Sequence, residues 1–367
     1  MKSSRSLPLL AVIIAAQFAW AQDKPIDWHR ARELFWREQR GEKLNADEQQ
    51  YLDEAKGQRA HRGTDRSERE PVRPAEHFTP LTELTGEYQG QDGGLYGGGR
   101  NEPPPELAAA AAREAAAIKP LDKDGRVADD GRIVLLSIGM SNTTQDFSTF
   151  KRLADADPRT SPALIIVDAA QGGRDAPAWS RAEAETWRVA DKRLAAANVT
   201  PQQVQVVWVK QAIAGPRAGF PAGADRLREH LAEIVRLAKA RYPNLRLAFL
   251  SSRIYAGYAR SRLNPEPYAY ESAFAVRELI QKQLGSDPSL NADAARGAVR
   301  APLLLWGPYL WADGATPRKS DGLFYAPEDL GPDGTHPSPT GREKVARQLL
   351  DFFTGNPYAR PWFTRGL

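Results

Sequence analysis

Alternation of short apolar runs with longer amphipathic stretches is the feature that most constrains the fold of this chain. From residue 131 onward, apolar runs rich in β-branched residues occupy positions 133–138, 163–167, 204–209, 245–250 and 301–306. Their apolarity is continuous rather than alternating, which is typical of parallel strands buried on both faces. The pattern predicts an α/β domain whose parallel sheet is covered by helices on both sides.

Helical patterns separate these runs. They cover residues 181–197, 222–241 and 267–284, and a last helix follows from residue 339. Ser338 suits the N-cap of that helix, Pro339 suits its first position, and Gly355 marks its end. The start of the last helix therefore holds the preceding loop, which contains His336, in place.

Two short segments at opposite ends of this domain contain reactive side chains. Ser141 follows the first predicted strand, whereas Asp333 and His336 lie three positions apart on a predicted loop. Together they supply the hydroxyl, imidazole and carboxylate that nucleophilic acyl transfer needs. A serine after Gly139 is also common in turns, and an isolated Asp-x-x-His segment is also typical of a polar loop. Ligands of open parallel sheets, however, bind beyond the carboxyl ends of the strands, and Ser141 follows such an end.

Each of the three side chains is expected to have its own role in the reaction. His336 accepts the Ser141 proton as general base, and Asp333 accepts a hydrogen bond from the other ring nitrogen. We therefore predict Ser141, His336 and Asp333 as the catalytic residues. The chain contains no cysteine and no cluster of histidines and carboxylates with metal-ligand spacing, so we expect neither a metal nor an organic cofactor.

At these segments the chain resembles the SGNH, or GDSL-like, hydrolase family of serine esterases and acetylesterases. Residues 139–141 match the family's Gly-Asp-Ser block, and residues 333–338 closely match its Asp-x-x-His block. The resemblance implies a three-layer α/β/α, flavodoxin-like fold with a parallel sheet of about five strands. It also implies an oxyanion hole built from the backbone N–H groups of Ser141 and Gly173 and the side chain of Gln211.

Two residues depart from the family pattern. Met140 replaces the usual aspartate beside the nucleophile, which removes no catalytic group. Gln211 stands where asparagine is normal, and its amide can donate to an oxyanion but is one methylene longer. Either the backbone is set back to suit Gln211 or another donor is used. A polar strand-end residue without a catalytic role is the remaining alternative.

Aromatic residues near the predicted strand ends indicate a substrate class. Trp179, Trp306, Tyr309 and Trp311 fall on the side where substrate would bind, unless they belong to the core. Tryptophan and tyrosine faces suit sugar rings, so we predict a serine esterase that removes O-acetyl groups from carbohydrate, with a small-molecule or polysaccharide ester as its substrate. One alternative is an esterase or lipase for small or lipid-like esters. Another is a catalytically silent binding module with the same fold.

Composition and the N-terminus restrict partners and compartment. The 367 residues have a formal charge of +4 and no dense basic block, which gives no case for nucleic-acid binding. Residues 1–21 have the charged start, short apolar core and Ala-x-Ala ending of a secretory signal peptide. The apolar core is too short for a comfortable membrane span. We therefore expect a secreted or periplasmic protein without a stable membrane span after cleavage.

The region before the catalytic domain, which we place at residues 131–367, has two parts. Residues 22–60 have the pattern of a small helical hairpin, in which Asn45 and Glu48 resemble a capping box. Residues 61–130 comprise a linker, a Gly-rich arm at 86–99 and an Ala-rich helix at 103–118. The arm is either an irregular surface loop or a segment that presents Tyr88 and Tyr96 near the active site.

Overall fold

A parallel β-sheet flanked by helices forms the centre of the protein. The computed structural model of the chain describes residues 26–39, 42–63 and 77–365, so the predicted signal peptide at 1–21 lies outside the described residues. The helices and strands, in chain order, are α1 (Trp28–Gln39), α2 (Ala46–Gly63), β1 (Glu87–Tyr88), β2 (Gln91–Asp92), α3 (Pro105–Ala117), β3 (Ile133–Gly139), α4 (Ser141–Ala156), β4 (Leu164–Asp168), α5 (Ala176–Trp179), α6 (Glu185–Ala196), β5 (Val204–Lys210), α7 (Ala222–Arg241), β6 (Leu247–Leu250), α8 (Tyr268–Leu284), β7 (Leu303–Trp306), α9 (Pro339–Gly355) and α10 (Arg360–Phe363).

The central sheet contains the strands β3 to β7. They pair in the order β4-β3-β5-β6-β7, and every pair is parallel. This corresponds to the 2-1-3-4-5 order of flavodoxin-like folds, in which ligands bind where the strand order reverses. Here that position lies at the carboxyl ends of β3 and β5. The predicted α/β class and flavodoxin-like parallel sheet are confirmed.

The strands form because their residues are apolar on both faces. Every residue of β3 and of β5 is buried. On one face Phe147 of α4 stacks on Trp208 of β5 with ring centroids 5.5 Å apart, and Phe150 of α4 contacts Phe353 of α9. These contacts hold α4 against both the sheet and α9. The start of α4 and the loop before α9 are therefore neighbours.

The apolar periodicity of the sequence does not predict helix α4. Its first six residues, 141–146, are polar and yet buried. A helix whose buried face begins with polar side chains lacks the amphipathic pattern on which helix prediction depends. Ser141 is consequently the first residue of a helix rather than part of a loop. Elsewhere the predicted boundaries differ from the observed ones by a few residues. Strands β6 and β7, for example, begin at Leu247 and Leu303 rather than at residues 245 and 301.

Helices α1 and α2 lie where the sequence predicts the N-terminal helical hairpin. Asn45 Oδ1 accepts a hydrogen bond from Glu48 N at 2.9 Å, and Glu48 Oε2 accepts one from Asn45 N at 3.0 Å. These reciprocal bonds are the predicted capping box. Arg37 of α1 pairs with Glu48 of α2 at 2.6 Å, which joins the two helices.

The Gly-rich arm packs on α8 and the end of β7. Tyr88 donates a hydrogen bond to Glu271 of α8 at 2.8 Å, and Trp306 Nε1 donates to the carbonyl of Leu95 at 2.6 Å. Tyr96 is buried in the same core as the sheet. Strand β7 is at the edge of the sheet and β3 lies next to the opposite edge. The arm therefore serves packing, and the alternative that it presents Tyr88 and Tyr96 to substrate is not supported.

Candidate active site

Ser141, His336 and Asp333 meet in one chain of hydrogen bonds. Ser141 Oγ lies 2.7 Å from His336 Nε2, although the two residues are 195 positions apart. His336 Nδ1 lies 2.5 Å from Asp333 Oδ2. A hydroxyl next to an imidazole that is oriented by a carboxylate is the geometry for an activated nucleophile.

Asp333 is bound in a way that fixes the imidazole. Its Oδ1 accepts hydrogen bonds from the backbone N–H groups of Thr335 and His336, both at 3.0 Å. Burial acts to raise the pKa of Asp333, but the hydrogen bond and charge of His336, with these N–H donors, outweigh it and lower the pKa to about 2. Asp333 is therefore ionised at neutral pH. It can accept a hydrogen bond from the Nδ1–H of His336, which leaves Nε2 to accept the proton of Ser141.

The loop around His336 depends on Gly334. The φ of Gly334 is +64°, and a Cβ at this position would lie 1.8 Å from the carbonyl oxygen of Tyr258. Only glycine fits both the left-handed backbone and the close approach. The loop closes when Gly331 N donates to the carbonyl of His336 at 2.7 Å. Ser338 then caps α9, as predicted, by accepting a hydrogen bond from Gly341 N at 3.4 Å.

A tight turn between β3 and α4 presents the nucleophile. Thr143 Oγ1 accepts a hydrogen bond from Met140 N at 3.2 Å and donates one to the carbonyl of Lys210 at 2.7 Å. Thr143 thus joins the turn to the end of β5. A Cβ on Gly139 would lie 2.3 Å from Thr143 Oγ1, so the turn requires glycine there. Met140, between Gly139 and Ser141, is buried.

The three predicted oxyanion donors each follow the carboxyl end of a strand and therefore lie on the same side of the sheet. Ser141 opens α4, where backbone N–H groups lack helical acceptors and the helix dipole favours an anion. Gly173 is exposed with a φ of +73°, and its loop is joined to the nucleophile turn because Gln171 N donates to the carbonyl of Gly139 at 3.0 Å. Gln211 is buried, and within the described ranges its Nε2 has no hydrogen-bond partner. Buried amide groups without a partner are rare, and the part of Gln211 in the oxyanion hole stays a prediction.

The four aromatic residues predicted to contact substrate are instead part of the core, and this prediction is corrected. Trp179, Trp306, Tyr309 and Trp311 are all at most 5% exposed. Their polar atoms bind protein groups. Trp179 Nε1 donates to the Gly139 carbonyl at 3.2 Å, and Trp311 Nε1 donates to Glu266 at 2.8 Å. Such side chains combine a large apolar area with one polar atom, which suits a buried strand end as well as contact with a sugar. The sequence pattern therefore does not distinguish a core position from a sugar-binding position.

A buried cluster of charges beneath the site is not predicted from the sequence. Asp146 of α4 and Lys210 at the end of β5 form an ion pair, and neither side chain is exposed. Burial raises the pKa of Asp146 and lowers that of Lys210. Arg253 is also buried, and burial lowers its pKa to about 10. A lysine at the end of the otherwise apolar strand β5 is the signal that could have indicated the pair, because a buried lysine needs a partner.

Residues 26–39, 42–63 and 77–365 contain no group of three or more histidines and carboxylates that could hold a metal ion. No helix in these ranges is long and apolar enough to cross a membrane.

Comparisons with known proteins give distant structural similarities. Neither a protein-family profile nor a curated protein sequence matches the chain. Among solved structures, a protein from Bacteroides fragilis described as an acylhydrolase is 14% identical with a TM-score of 0.36, and the match covers 68% of this chain and 96% of that chain. The periplasmic domain of a lipopolysaccharide acetyltransferase from Salmonella Paratyphi A is 11% identical with a TM-score of 0.34, over 61% of this chain and 84% of that chain. A salicylyl-acyltransferase of a tetracycline biosynthetic pathway is 11% identical with a TM-score of 0.32, over 64% of this chain and 58% of that chain.

Proposed function

We propose that the protein is a serine esterase of the SGNH type that removes O-acetyl groups from carbohydrate through an acyl-enzyme. The observation that carries the proposal is the hydrogen-bond chain from Ser141 through His336 to the ionised Asp333. If Ser141 were only a turn residue and the Asp333–His336 segment only a polar loop, there would be no reason for residues so distant in sequence to meet in this geometry. The turn around Gly139 and the loop around Gly334 are both constrained by close contacts, which suits a preorganised site.

The mechanism follows from these positions. Ser141 Oγ attacks the ester carbonyl while His336 Nε2 takes its proton, and Asp333 stabilises the imidazolium that forms. The tetrahedral oxyanion is held by the N–H groups of Ser141 and Gly173 and by the Gln211 amide. Collapse breaks the ester C–O bond, and His336 returns the proton to the leaving alcohol. Water, deprotonated by His336, then releases acetate and restores Ser141.

The proposed substrate is an ester whose acyl group is acetyl and whose alcohol is a carbohydrate hydroxyl. Export, which we infer from the signal-like residues 1–21, fits work on extracellular polysaccharide and predicts a mature chain that starts near Gln22. With the four aromatics assigned to the core, sugar recognition depends on other residues. An esterase for small or lipid-like esters uses the same triad, so substrate comparison has to separate the two.

Covalent labelling tests the nucleophile. A fluorophosphonate should modify the purified protein at Ser141, identified by peptide mapping, and Ser141→Ala should abolish both labelling and hydrolysis of p-nitrophenyl acetate. Ser180 provides a matched control, because its Oγ lies 2.9 Å from His230 Nδ1. No carboxylate in the described part of the chain hydrogen-bonds that imidazole, so Ser180→Ala should leave labelling intact. Unchanged hydrolysis by Ser141→Ala would falsify the catalytic assignment.

Substrate comparison tests the acyl and alcohol groups. We expect hydrolysis of acetylated xylan or pectin oligosaccharides with release of acetate, and rates that fall as the acyl chain of a p-nitrophenyl ester lengthens. Faster hydrolysis of long-chain esters, with no release of acetate from polysaccharide, would assign the protein to lipid-like esters instead. Absence of labelling and of hydrolysis with every ester would favour the silent binding module.

A further inference from the structure

The last residue of β5 is bound twice by helix α4, which begins at Ser141. The backbone carbonyl of Lys210 accepts a hydrogen bond from Thr143 Oγ1 at 2.7 Å. The side-chain Nζ of Lys210 forms an ion pair with Asp146. Thr143 and Asp146 are three positions apart, so both contacts lie on one face of α4 within its first two turns. We call Thr143, Asp146 and Lys210 the β5 clamp.

The β5 clamp contacts the turn that presents the nucleophile. Thr143 Oγ1 also accepts a hydrogen bond from the N–H of Met140 at 3.2 Å, and Met140 directly precedes Ser141. A Cβ on Gly139 would lie 2.3 Å from the same oxygen, so the backbone of the turn lies directly against this hydroxyl group. A single hydroxyl group therefore links the end of β5 to the backbone that places Ser141.

All members of the β5 clamp are shielded from solvent. The exposed fraction of Thr143, Asp146 and Lys210 is 0%. Bulk water therefore cannot take the place of either contact, and a shifted α4 would leave polar groups without partners. Buried polar groups can in this way fix one register between neighbouring elements where apolar packing would allow several.

Stability alone does not account for the ion pair in the β5 clamp. The transfer of two charges out of water offsets much of their attraction, and replacement of a buried pair by apolar side chains is often neutral or stabilising. Asp146 Oδ1 also has no hydrogen-bond partner among the described residues, which adds a further cost. We therefore expect apolar side chains of similar volume to hold α4 on the sheet about as firmly. Apolar side chains do not, however, fix the position of α4 along the end of β5.

We propose that Thr143 and Lys210 are positioning residues, which hold Ser141 Oγ where the imidazole of His336 can take its proton. This inference rests on the proposed function, since it concerns the nucleophile of that reaction. The distance to be held is the 2.7 Å between Ser141 Oγ and His336 Nε2. The loop that carries His336 is closed by its own hydrogen bond from Gly331 N, so a shift of α4 along β5 changes this distance. Misplacement of reacting groups by about 1 Å can lower a rate about 10²-fold.

Removal of the Thr143 hydroxyl group tests the positioning role. Thr143→Val removes both hydrogen bonds and keeps the shape of the side chain, whereas Thr143→Ser keeps the hydroxyl. We expect Thr143→Val to lower kcat for p-nitrophenyl acetate about tenfold or more with little change in KM, and to slow fluorophosphonate labelling of Ser141 by a similar factor. Thr143→Ser should restore most of both rates. Thr149→Val is the matched control and should leave both rates unchanged, because its hydroxyl donates to the carbonyl of Gln145 within α4 at 3.0 Å.

A variant without the ion pair separates positioning from stability. Asp146→Leu/Lys210→Met replaces the pair by apolar side chains of similar volume and should unfold at a temperature near that of the wild type. We expect its kcat, measured well below that temperature, to stay about tenfold or more below the wild-type value. Arg277→Met is the control, because it removes a buried cation of α8 that pairs with Asp92 at 3.0 Å. It should lower thermal stability and leave kcat unchanged.

The outcomes distinguish the positioning role from the esterase itself. Wild-type rates in Thr143→Val, or equal losses in Thr143→Val and Thr149→Val, overturn the role of Thr143. Recovery of kcat together with stability in Asp146→Leu/Lys210→Met overturns the role of Lys210. If the wild-type protein is labelled at Ser141 and all variants react at its rate, only the positioning role fails. If the wild-type protein is not labelled at all, the proposed function fails and the positioning role fails with it.

Discussion

The buried ion pair between Asp146 and Lys210 leads to a quantitative prediction. Neither side chain is exposed, and no bulk water can screen the pair. In Lys210→Met the carboxyl group of Asp146 loses its ion-pair partner inside the core. Removal of one partner of a buried pair costs about 3–5 kcal/mol. The neutral alternative is protonation of Asp146, which burial already favours because it raises the pKa.

Protonation of Asp146 sets an upper limit to the stability lost in Lys210→Met, and this limit depends on pH. In the unfolded chain the pKa of Asp146 is 3.8, so folding with a protonated carboxyl costs at most about 4 kcal/mol at pH 7. At pH 5 the same limit is about 1.6 kcal/mol. A carboxyl whose pKa is raised on folding stabilises the fold below its unfolded pKa, and this contribution is lost as the pH rises. We therefore expect Lys210→Met to cost about 3–4 kcal/mol at pH 7 and less than about 2 kcal/mol at pH 5.

Urea unfolding followed by tryptophan fluorescence at the two pH values measures the effect. The double variant Asp146→Leu/Lys210→Met should recover much of the loss, because a buried pair can be replaced by apolar groups of similar volume. Lys151→Met is the control, since Lys151 pairs with Asp155 on the surface of the same helix at 2.5 Å and should change stability by under about 1 kcal/mol. Equal losses for Lys210→Met at pH 5 and pH 7, or a double variant that loses the sum of both single changes, would refute the reasoning.

Four further predictions concern the site and its surroundings. Asp333→Asn should lower kcat by roughly 10³–10⁴-fold, because it removes the ionised acceptor of the His336 Nδ1 proton. Gln211→Ala should lower kcat by roughly 10²–10³-fold with little change in KM if its amide holds the oxyanion. Gly334→Ala should lower both thermal stability and kcat, because its Cβ would lie 1.8 Å from the carbonyl of Tyr258. Burial raises the pKa of Glu266 from 4.5 to about 7. The contribution of Glu266 to the free energy of unfolding is therefore present below pH 4.5 and is lost as the pH rises through 7. Glu266→Gln should remove this fall in stability, which amounts to up to about 3 kcal/mol across the range.

Controls for these predictions come from the same parts of the chain. Gly331→Ala should be mild, because its Cβ would meet nothing closer than the carbonyl of His336 at 3.3 Å; losses as large as those of Gly334→Ala would contradict the steric argument. Retention of kcat by Gln211→Ala would assign the oxyanion to backbone donors alone. Asp333→Asn with near wild-type kcat would mean that His336 is oriented by other contacts. For Glu266, thermal midpoints at pH 4.5, 6 and 7.5 suffice, and parallel curves for the variant and the wild type would exclude Glu266 as the cause.

Local sequence patterns were sufficient for the class of fold and for the identity of the catalytic candidates. Continuous apolar runs mark parallel strands because both faces of each strand need covering, and β3 and β5 are indeed buried throughout. The capping of α9 by Ser338 was predictable because a cap depends on residues within one turn. Ser141 and the pair Asp333 and His336 were recognisable as reactive groups, since the chemistry needs these side chains wherever the chain places them.

Tertiary packing decided which side chains are buried and which remain available to a ligand. The aromatics at the strand ends became core because helices and the Gly-rich arm cover them, and composition does not distinguish a covered tryptophan from an open one. Helix α4 escaped prediction because its buried face begins with polar side chains, some of which bind groups of β5, as Thr143 binds the carbonyl of Lys210. The 2.7 Å contact between Ser141 and His336 depends on every strand and helix between them, and a pattern that spans a few residues contains no information about such a distance.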